Sequence, residues 1–256
     1  MKELKKRGKY EKEVLKQARY ITGRTSWDYA CVKAINKKAK YFPCNRILRG
    51  SFYEHDWNYK NCEKYSVLVS QADYPVKGFH IFLKALNILQ KKYKDIKVVV
   101  AGTKLNLETP QFGTYDYYIK ELIMHFHQEK IIEFVGLQDE YQMCNRYLRA
   151  NVFVLPSVIE NSPNSLGEAM IMGVPCVASY VGGVSSYIEH EVNGFLYQAD
   201  AYYMLAYYIG KIFDEMHIVE RYSGNAKKKA MQIYNKDINM QNLINIYSSI
   251  VKNNES

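Results

Sequence analysis

Two glutamates, Glu160 and Glu168, bracket the segment Asn161-Ser162-Pro163-Asn164-Ser165-Leu166-Gly167, just behind the apolar run that ends in Leu155-Pro156-Ser157. Glu160 is expected in the loop that leaves a strand, and Glu168 in the first turn of the helix that follows. The amides of Asn164 to Leu166 would face the same crevice, an arrangement suited to holding hydroxyls and an anion. Each acid also has a purely structural reading. Ser165-x-x-Glu168 fits a capping box, and Glu160 fits an exposed loop acid. Neither explains why both occur together beside an amide-rich turn. A second segment, Asp73-Tyr74-Pro75-Val76-Lys77-Gly78-Phe79, opens another helix. A lysine is disfavoured at the positive end of a helix unless an anion shares the site. The alternative is a solvated lysine, with Gly78 present for turn geometry. Gly182-Gly183 offers a close backbone approach to a ligand, an anion nest or an ordinary turn. Gly23-Arg24-Thr25-Ser26-Trp27-Asp28 reads as a strand-to-helix corner, and equally as a plain capped helix start.

Positioning these groups requires regular elements. Apolar runs at 65–70, 96–101, 131–135, 152–155 and 174–178 are rich in Val and Ile, as suits parallel strands buried on both faces. Between them lie helical segments. Phe79, Phe82, Leu83, Leu86 and Leu89 form one buried stripe, and further helices are expected at about 115–128, 138–149 and 165–172. Gly173 reads as a helix stop. A weak strand at 195–197 precedes helices near 201–217, 221–234 and 238–252. At the start, a helix at 10–19, a short strand at 20–23 and a helix at 26–38 capped by Thr25 or Ser26 lead to a linker-like stretch at 50–62. Alternating strands and helices predict an α/β fold, a Rossmann-like parallel sheet with flanking helices. Ligands of such sheets bind at the carboxyl ends of the strands, where the segments above fall.

The 256 residues are 48% hydrophobic and 24% charged, a globular and not a disordered composition. No apolar run reaches the roughly 18–20 residues of a membrane span, and the basic start lacks the apolar core of a signal peptide. Membrane spanning and secretion are therefore not expected. Cys31, Cys44, Cys62, Cys144 and Cys176 are scattered and form no Cys-x-x-Cys pair, so reduced thiols and no zinc site are expected. His125 and His127, two apart, would point to different faces of a helix. The charge is uneven. Residues 1–60 hold 16 Lys and Arg against 6 Asp and Glu, whereas 61–256 hold 19 against 20. Such an arm suits acidic lipid headgroups or an anionic acceptor, and equally a solvated helical face. It carries no nucleic-acid motif, so no nucleic acid is expected.

In this order the segments resemble the C-terminal, donor-binding half of GT-B glycosyltransferases, in particular the retaining family 4 (glycosyl transferases group 1). The hallmark is a strand ending in Pro156-Ser157 followed by Glu160, seven residues and Glu168, then Ala169-Met170, Gly173, Pro175 and Cys176-Val177-Ala178. Lys77-Gly78, Ala101-Gly102, Phe134-Val135-Gly136, Gly182-Gly183 and Asn193-Gly194-Phe195 follow the family's order across residues 65–255. There are three departures. Gln71-Ala72-Asp73 stands where an arginine is frequent, Ser186 stands where a glutamate is frequent, and nearly all of the N-terminal acceptor domain is missing.

The resemblance implies transfer of a sugar from a nucleotide-diphosphate sugar to a saccharide or lipid-linked acceptor, with retention, in polysaccharide biosynthesis. UDP ranks ahead of GDP as the carrier, and no cofactor is implied. By the same resemblance Glu168 would bind the ribose hydroxyls. Glu160, the catalytic candidate, would contact the transferred sugar or its developing positive charge. Lys77, Gly78 and the segment Ser162, Asn164, Ser165 and Leu166 would hold the diphosphate, and Leu137 would border the base. With no Asp-x-Asp pair to hold a metal–diphosphate complex, donor binding is expected to be metal-independent. Residues 1–62 would be a remnant of the acceptor domain with its linker, and 63–256 the nucleotide-sugar-binding domain. The remnant's Val14, Ile21, Trp27 and Val32 are expected to be partly exposed. A separate acceptor-domain chain, a cytoplasmic location and peripheral contact with the inner membrane face belong to this reading. Its alternative is a non-catalytic nucleotide-sugar-binding subunit or truncated pseudoenzyme.

Overall fold

The computed structural model of the chain describes residues 2–255. It divides into two compact units: the residues up to Ile47 together with those from Ile233 onward, and Leu48–Gln232.

The smaller unit opens with α1 (Lys2–Gln17), β1 (Tyr20–Gly23), α2 (Ser26–Ile35) and β2 (Lys40–Pro43). The two strands pair in parallel, Tyr20 opposite Lys40 and Gly23 opposite Pro43. Thr25 is the cap of α2. Its hydroxyl accepts from the Asp28 amide, and the Asp28 carboxylate accepts from the amides of Thr25 and Arg24. At the far end of α2 the Asn36 side-chain amide donates to the carbonyls of Leu15 and Ala18, tying the end of α1 to the end of α2. Strand β2 is not anticipated by the sequence pattern, because four residues behind a lysine-rich turn carry no alternation to read. Val14 is 67% and Trp27 37% exposed, and Ile21 is half-buried, whereas Val32 lies in the unit's interior at 6%. For Val32 the expected exposure is therefore corrected.

The larger unit runs β3 (Ser66–Ser70), α3 (Phe79–Lys92), β4 (Lys97–Ala101), α4 (Tyr115–His125), β5 (Ile132–Gly136), α5 (Glu140–Arg149), β6 (Val152–Leu155), α6 (Asn164–Met172), β7 (Cys176–Ser179), β8 (Phe195–Tyr197), α7 (Tyr202–Asp214) and α8 (Met216–Ile233). The final helix, α9 (Lys236–Glu255), returns to the smaller unit. Six parallel strands lie in the order β5-β4-β3-β6-β7-β8. The chain thus builds outward from β3 to β5, then restarts on the other side of β3 with β6. The switch point between β3 and β6 is where a doubly wound sheet opens a crevice at its carboxyl edge. Val67, Leu68 and Val69 pair with Val152, Phe153 and Val154, and all six are buried, as both faces of a central parallel sheet require. Helix α3 turns its whole expected stripe inward: Phe79, Phe82, Leu83, Leu86 and Leu89 are buried.

The stretch at 50–62 is more than a linker. Phe52, in a 3-10 turn at Gly50–Tyr53, is fully buried. Trp57 is also buried, its indole N–H donating to the Ala150 carbonyl at 2.7 Å and its amide to that of Met172 at 2.8 Å. With Leu48 these side chains anchor the segment into the larger unit, so the compact division falls at Leu48. The expected boundary lies after residue 62.

Candidate functional site

The loops that leave β3 and β6 are joined directly. After β3 a 3-10 turn at Pro75–Lys77 ends on Gly78, which caps α3 in the left-handed conformation at φ 71°. A Cβ on Gly78 would stand 1.8 Å from the Pro156 carbonyl oxygen, so only glycine lets the two loops approach this closely. Beside it the Val158 amide donates to the Val76 carbonyl at 2.8 Å. The approach places Lys77 against the β6 loop, where its Nζ donates to Glu160 Oε2 at 2.8 Å, with the two side chains 23% and 16% exposed. Local sequence shows no such pairing, since 83 residues separate the partners.

The loop after β7 holds Glu160 from its backbone side. Gly182 is left-handed at φ 50°, a Cβ there would lie 2.0 Å from the Glu160 carbonyl oxygen, and the Gly183 amide donates to that oxygen at 3.1 Å. Gly182-Gly183 forms a turn, and its backbone closes on the chain at Glu160. Glu160 thus sits in the crevice with its main chain fixed and its carboxylate paired.

Helix α6 starts one residue earlier than the sequence suggests, with Pro163 as its cap and no side-chain cap bond. Ser165 is the second helical residue and Glu168 the fifth, so the capping-box reading of Glu168 is corrected. The amides of Asn164, Ser165 and Leu166 have no carbonyl one turn below them, and proline supplies no side-chain acceptor. Next to them the buried Ser162 hydroxyl has no hydrogen-bond partner among the described residues. Uncapped amides, an unpartnered buried hydroxyl and a lysine one loop away together make a setting for an anion.

The Glu168 carboxylate is only 10% exposed. Its Oε1 accepts from Arg49 Nη2 at 3.2 Å, and its Oε2 lies 3.2 Å from the Tyr147 hydroxyl. Burial raises its pKa above the ordinary carboxylate value, while the Arg49 charge and the hydrogen bonds from Arg49 and Tyr147 counter the rise. Tyr147 is fully buried, and its phenol is pushed far up, first by burial and then by the Glu168 charge. Arg49 and Tyr147 are the members that sequence reasoning misses. Tyr147 looks like one more residue of the buried α5 face with Met143 and Cys144. Arg49 stands 119 residues from its partner, so no spacing reveals it.

Leu137 stands apart. It follows Gly136 at the carboxyl end of edge strand β5 and is 80% exposed. Three inter-strand steps, about 14 Å, separate it from β6. It shares the sheet edge with the Lys77–Glu160 pair and the Arg49–Glu168–Tyr147 group without joining either.

The family profile of glycosyl transferases group 1 matches residues 54–229. An uncharacterized glycosyltransferase of Methanocaldococcus jannaschii is 27% identical over 185 residues, which cover 72% of this chain and 45% of that protein. The amylovoran biosynthesis glycosyltransferase AmsK of Erwinia amylovora is 29% identical over 127 residues, 47% of this chain and 29% of its own length. The chain thus spans less than half the length of these curated relatives. Among solved structures, Anabaena HepE in complex with UDP superposes with a TM-score of 0.74 at 19% identity, covering 92% of this chain and 65% of that one. The profile match runs through all six sheet strands, the Lys77 turn and both glutamates, so the chain belongs to the glycosyl transferases group 1 family and its sheet is a GT-B Rossmann-like domain.

Proposed function

We propose that this chain supplies the donor-binding half of a retaining, family 4 glycosyltransferase that moves a sugar from a nucleotide-diphosphate sugar to a saccharide or lipid-linked acceptor in polysaccharide synthesis. One observation carries the reading. At the β3/β6 switch point Lys77 pairs with Glu160 across the two loops, two residues before the unpartnered Ser162 hydroxyl and just ahead of the uncapped start of α6, the helix that carries Glu168. Lys77, Gly78 and the segment from Ser162 to Leu166 hold the diphosphate, whose charge grows as the bond to the sugar breaks. Fixed cations and amides aimed at that charge stabilise the departing group. Glu168 takes the ribose hydroxyls and Leu137 borders the base. Glu160 faces the transferred sugar, where its carboxylate accepts hydroxyl hydrogen bonds or balances positive charge at the anomeric carbon. The donor displaces the Lys77–Glu160 pairing, freeing the ammonium for phosphate and the carboxylate for sugar.

Because a lysine and helix amides neutralise the diphosphate, donor binding on this reading needs no divalent cation. UDP is the first candidate, in line with the UDP bound to HepE. Residues 1–62 are read as a remnant of the acceptor domain with its linker, the part from Leu48 onward packing into the larger unit. The remaining acceptor half is supplied by further chain or by a separate chain, at the cytoplasmic membrane face where the basic arm meets acidic lipid. A second reading is a nucleotide-sugar-binding subunit without transfer activity of its own. Calorimetric titration with UDP and GDP in excess chelator tests the donor site, and a transfer assay that follows the product anomer separates the two readings. Absence of nucleotide binding sinks both. Binding that vanishes in chelator and returns with manganese or magnesium rejects metal independence.

A further inference from the structure

Before any ligand arrives, the Glu168 carboxylate is held from two sides, and one hold is built with care. Arg49, which donates to Oε1, lays its guanidinium over the ring of Phe52, 4.8 Å from the centroid. Phe52 stands edge-on to Tyr147 at 5.9 Å, so the aromatic under the arginine touches the same tyrosine that faces Glu168. The turn carrying both is clamped to the start of α5, where the Ser51 amide donates to Glu140 Oε1 at 2.7 Å. Arg49 therefore arrives preorganised, with 44% of its side chain still in water.

We propose that Arg49 is a positioning residue for the nucleotide ribose: it fixes the orientation of the Glu168 carboxylate, and keeps it charged, so that the remaining lone pairs meet the ribose diol. This rests on the reading of Glu168 as the ribose ligand. Hydroxyls donate more strongly to an ionised carboxylate than to a neutral carboxyl, and this one is almost out of water. The groups facing it are Arg49, Tyr147, Cys144 and Glu140. Among them Arg49 is the sole cation. Tyr147 has one proton for two acceptors, the Ser165 carbonyl at 3.0 Å and Glu168 at 3.2 Å, so it cannot hold the carboxylate alone. Without Arg49 the carboxylate would lose its fixed orientation and take up a proton more readily.

The alternative is that Arg49 only staples its turn to α6. Titration of UDP and GDP, each beside its 2′,3′-dideoxy form, separates the two. The parent chain is compared with Arg49→Gln, Arg49→Lys and Glu168→Gln from acidic to neutral pH, with thermal unfolding followed in parallel. The parent should prefer the ribonucleotide. Arg49→Gln should lose about tenfold in ribonucleotide affinity, most at acidic pH, with dideoxy affinity unchanged, and Arg49→Lys should recover part of the loss. Glu168→Gln should bind the two forms alike. Should Arg49→Gln fail to fold, Arg49→Lys carries the same comparison, with a smaller drop in preference expected. If the arginine variants keep the parent's preference, or lose both forms equally, while Glu168→Gln abolishes it, Arg49 is a staple and the ribose reading stands. If Glu168→Gln discriminates as the parent does, or no nucleotide binds the parent, the ribose reading fails and this inference with it.

Discussion

Replacing Gly182 by alanine probes how the crevice is held, because the structure sets both parts of the cost. Gly182 is left-handed at φ 50°, and its new Cβ would stand 2.0 Å from the Glu160 carbonyl oxygen. A left-handed residue with a side chain costs about 1–2 kcal/mol. The clash is with backbone, which cannot rotate away, so the turn and the Glu160 loop must separate, at about 1–3 kcal/mol more. Gly113 supplies the control. It is also left-handed at φ 80°, but nothing lies within 4 Å of its would-be Cβ, so Gly113→Ala should cost only the conformational part. Unfolding followed by Trp57, the buried tryptophan of the larger unit, should show Gly182→Ala losing about 2–5 kcal/mol and Gly113→Ala about 1–2. Gly182→Ala should also weaken binding of a nucleotide sugar more than that of the bare nucleoside diphosphate, since Glu160 moves with the loop. Equal losses for the two variants would refute the claim that the Gly182 turn is what holds Glu160 in place.

Lys77→Ala should weaken nucleoside diphosphate binding by about tenfold or more while leaving nucleoside binding unchanged; equal affinity of variant and parent for the diphosphate would remove Lys77 from the site. Phe52→Ala should destabilise the larger unit by about 3–5 kcal/mol, measured by urea unfolding, and a loss below about 1 kcal/mol would mean the 50–62 stretch is a linker after all. Glu168 also shapes the pH dependence of stability. Its carboxyl pKa is raised in the fold, chiefly by burial, so the native state holds this proton more tightly than the unfolded chain. The associated stability is present at acid pH and is lost as pH rises through the raised value. Glu168→Gln cannot titrate, so the stability difference, parent minus variant, should fall with rising pH. A difference that stays flat or rises would contradict the burial of an ionising carboxyl at this position.

Much of the fold lies in short-range pattern. The β-branched runs, the stripe of α3 and the glycine stop at Gly173, which ends α6 at φ 83°, are each decided by neighbours a few residues away. Strand spacing and helix periodicity therefore predict the parallel sheet. The motif order from Lys77 to Gly182-Gly183 is equally a property of the chain, and it is enough to anticipate both glutamates at the carboxyl edge. What short range cannot carry is partnership. Ser165-x-x-Glu168 satisfies a capping box on paper, but Pro163 starts α6 one residue early, and the carboxylate finds Arg49 and Tyr147. Lys77 meets Glu160 only because two glycines without side chains let three loops close to backbone contact. The stretch at 50–62 shows no periodicity, yet Phe52 and Trp57 lie inside the larger unit because isolated aromatic anchors bury wherever the tertiary surface has room for them. The sequence by itself determines the strands and helices of the larger unit and the chemical groups they carry, whereas β2 of the smaller unit exists through its pairing with β1. Which acid faces which cation depends on strand order and loop approach, set by packing between segments as many as 119 residues apart.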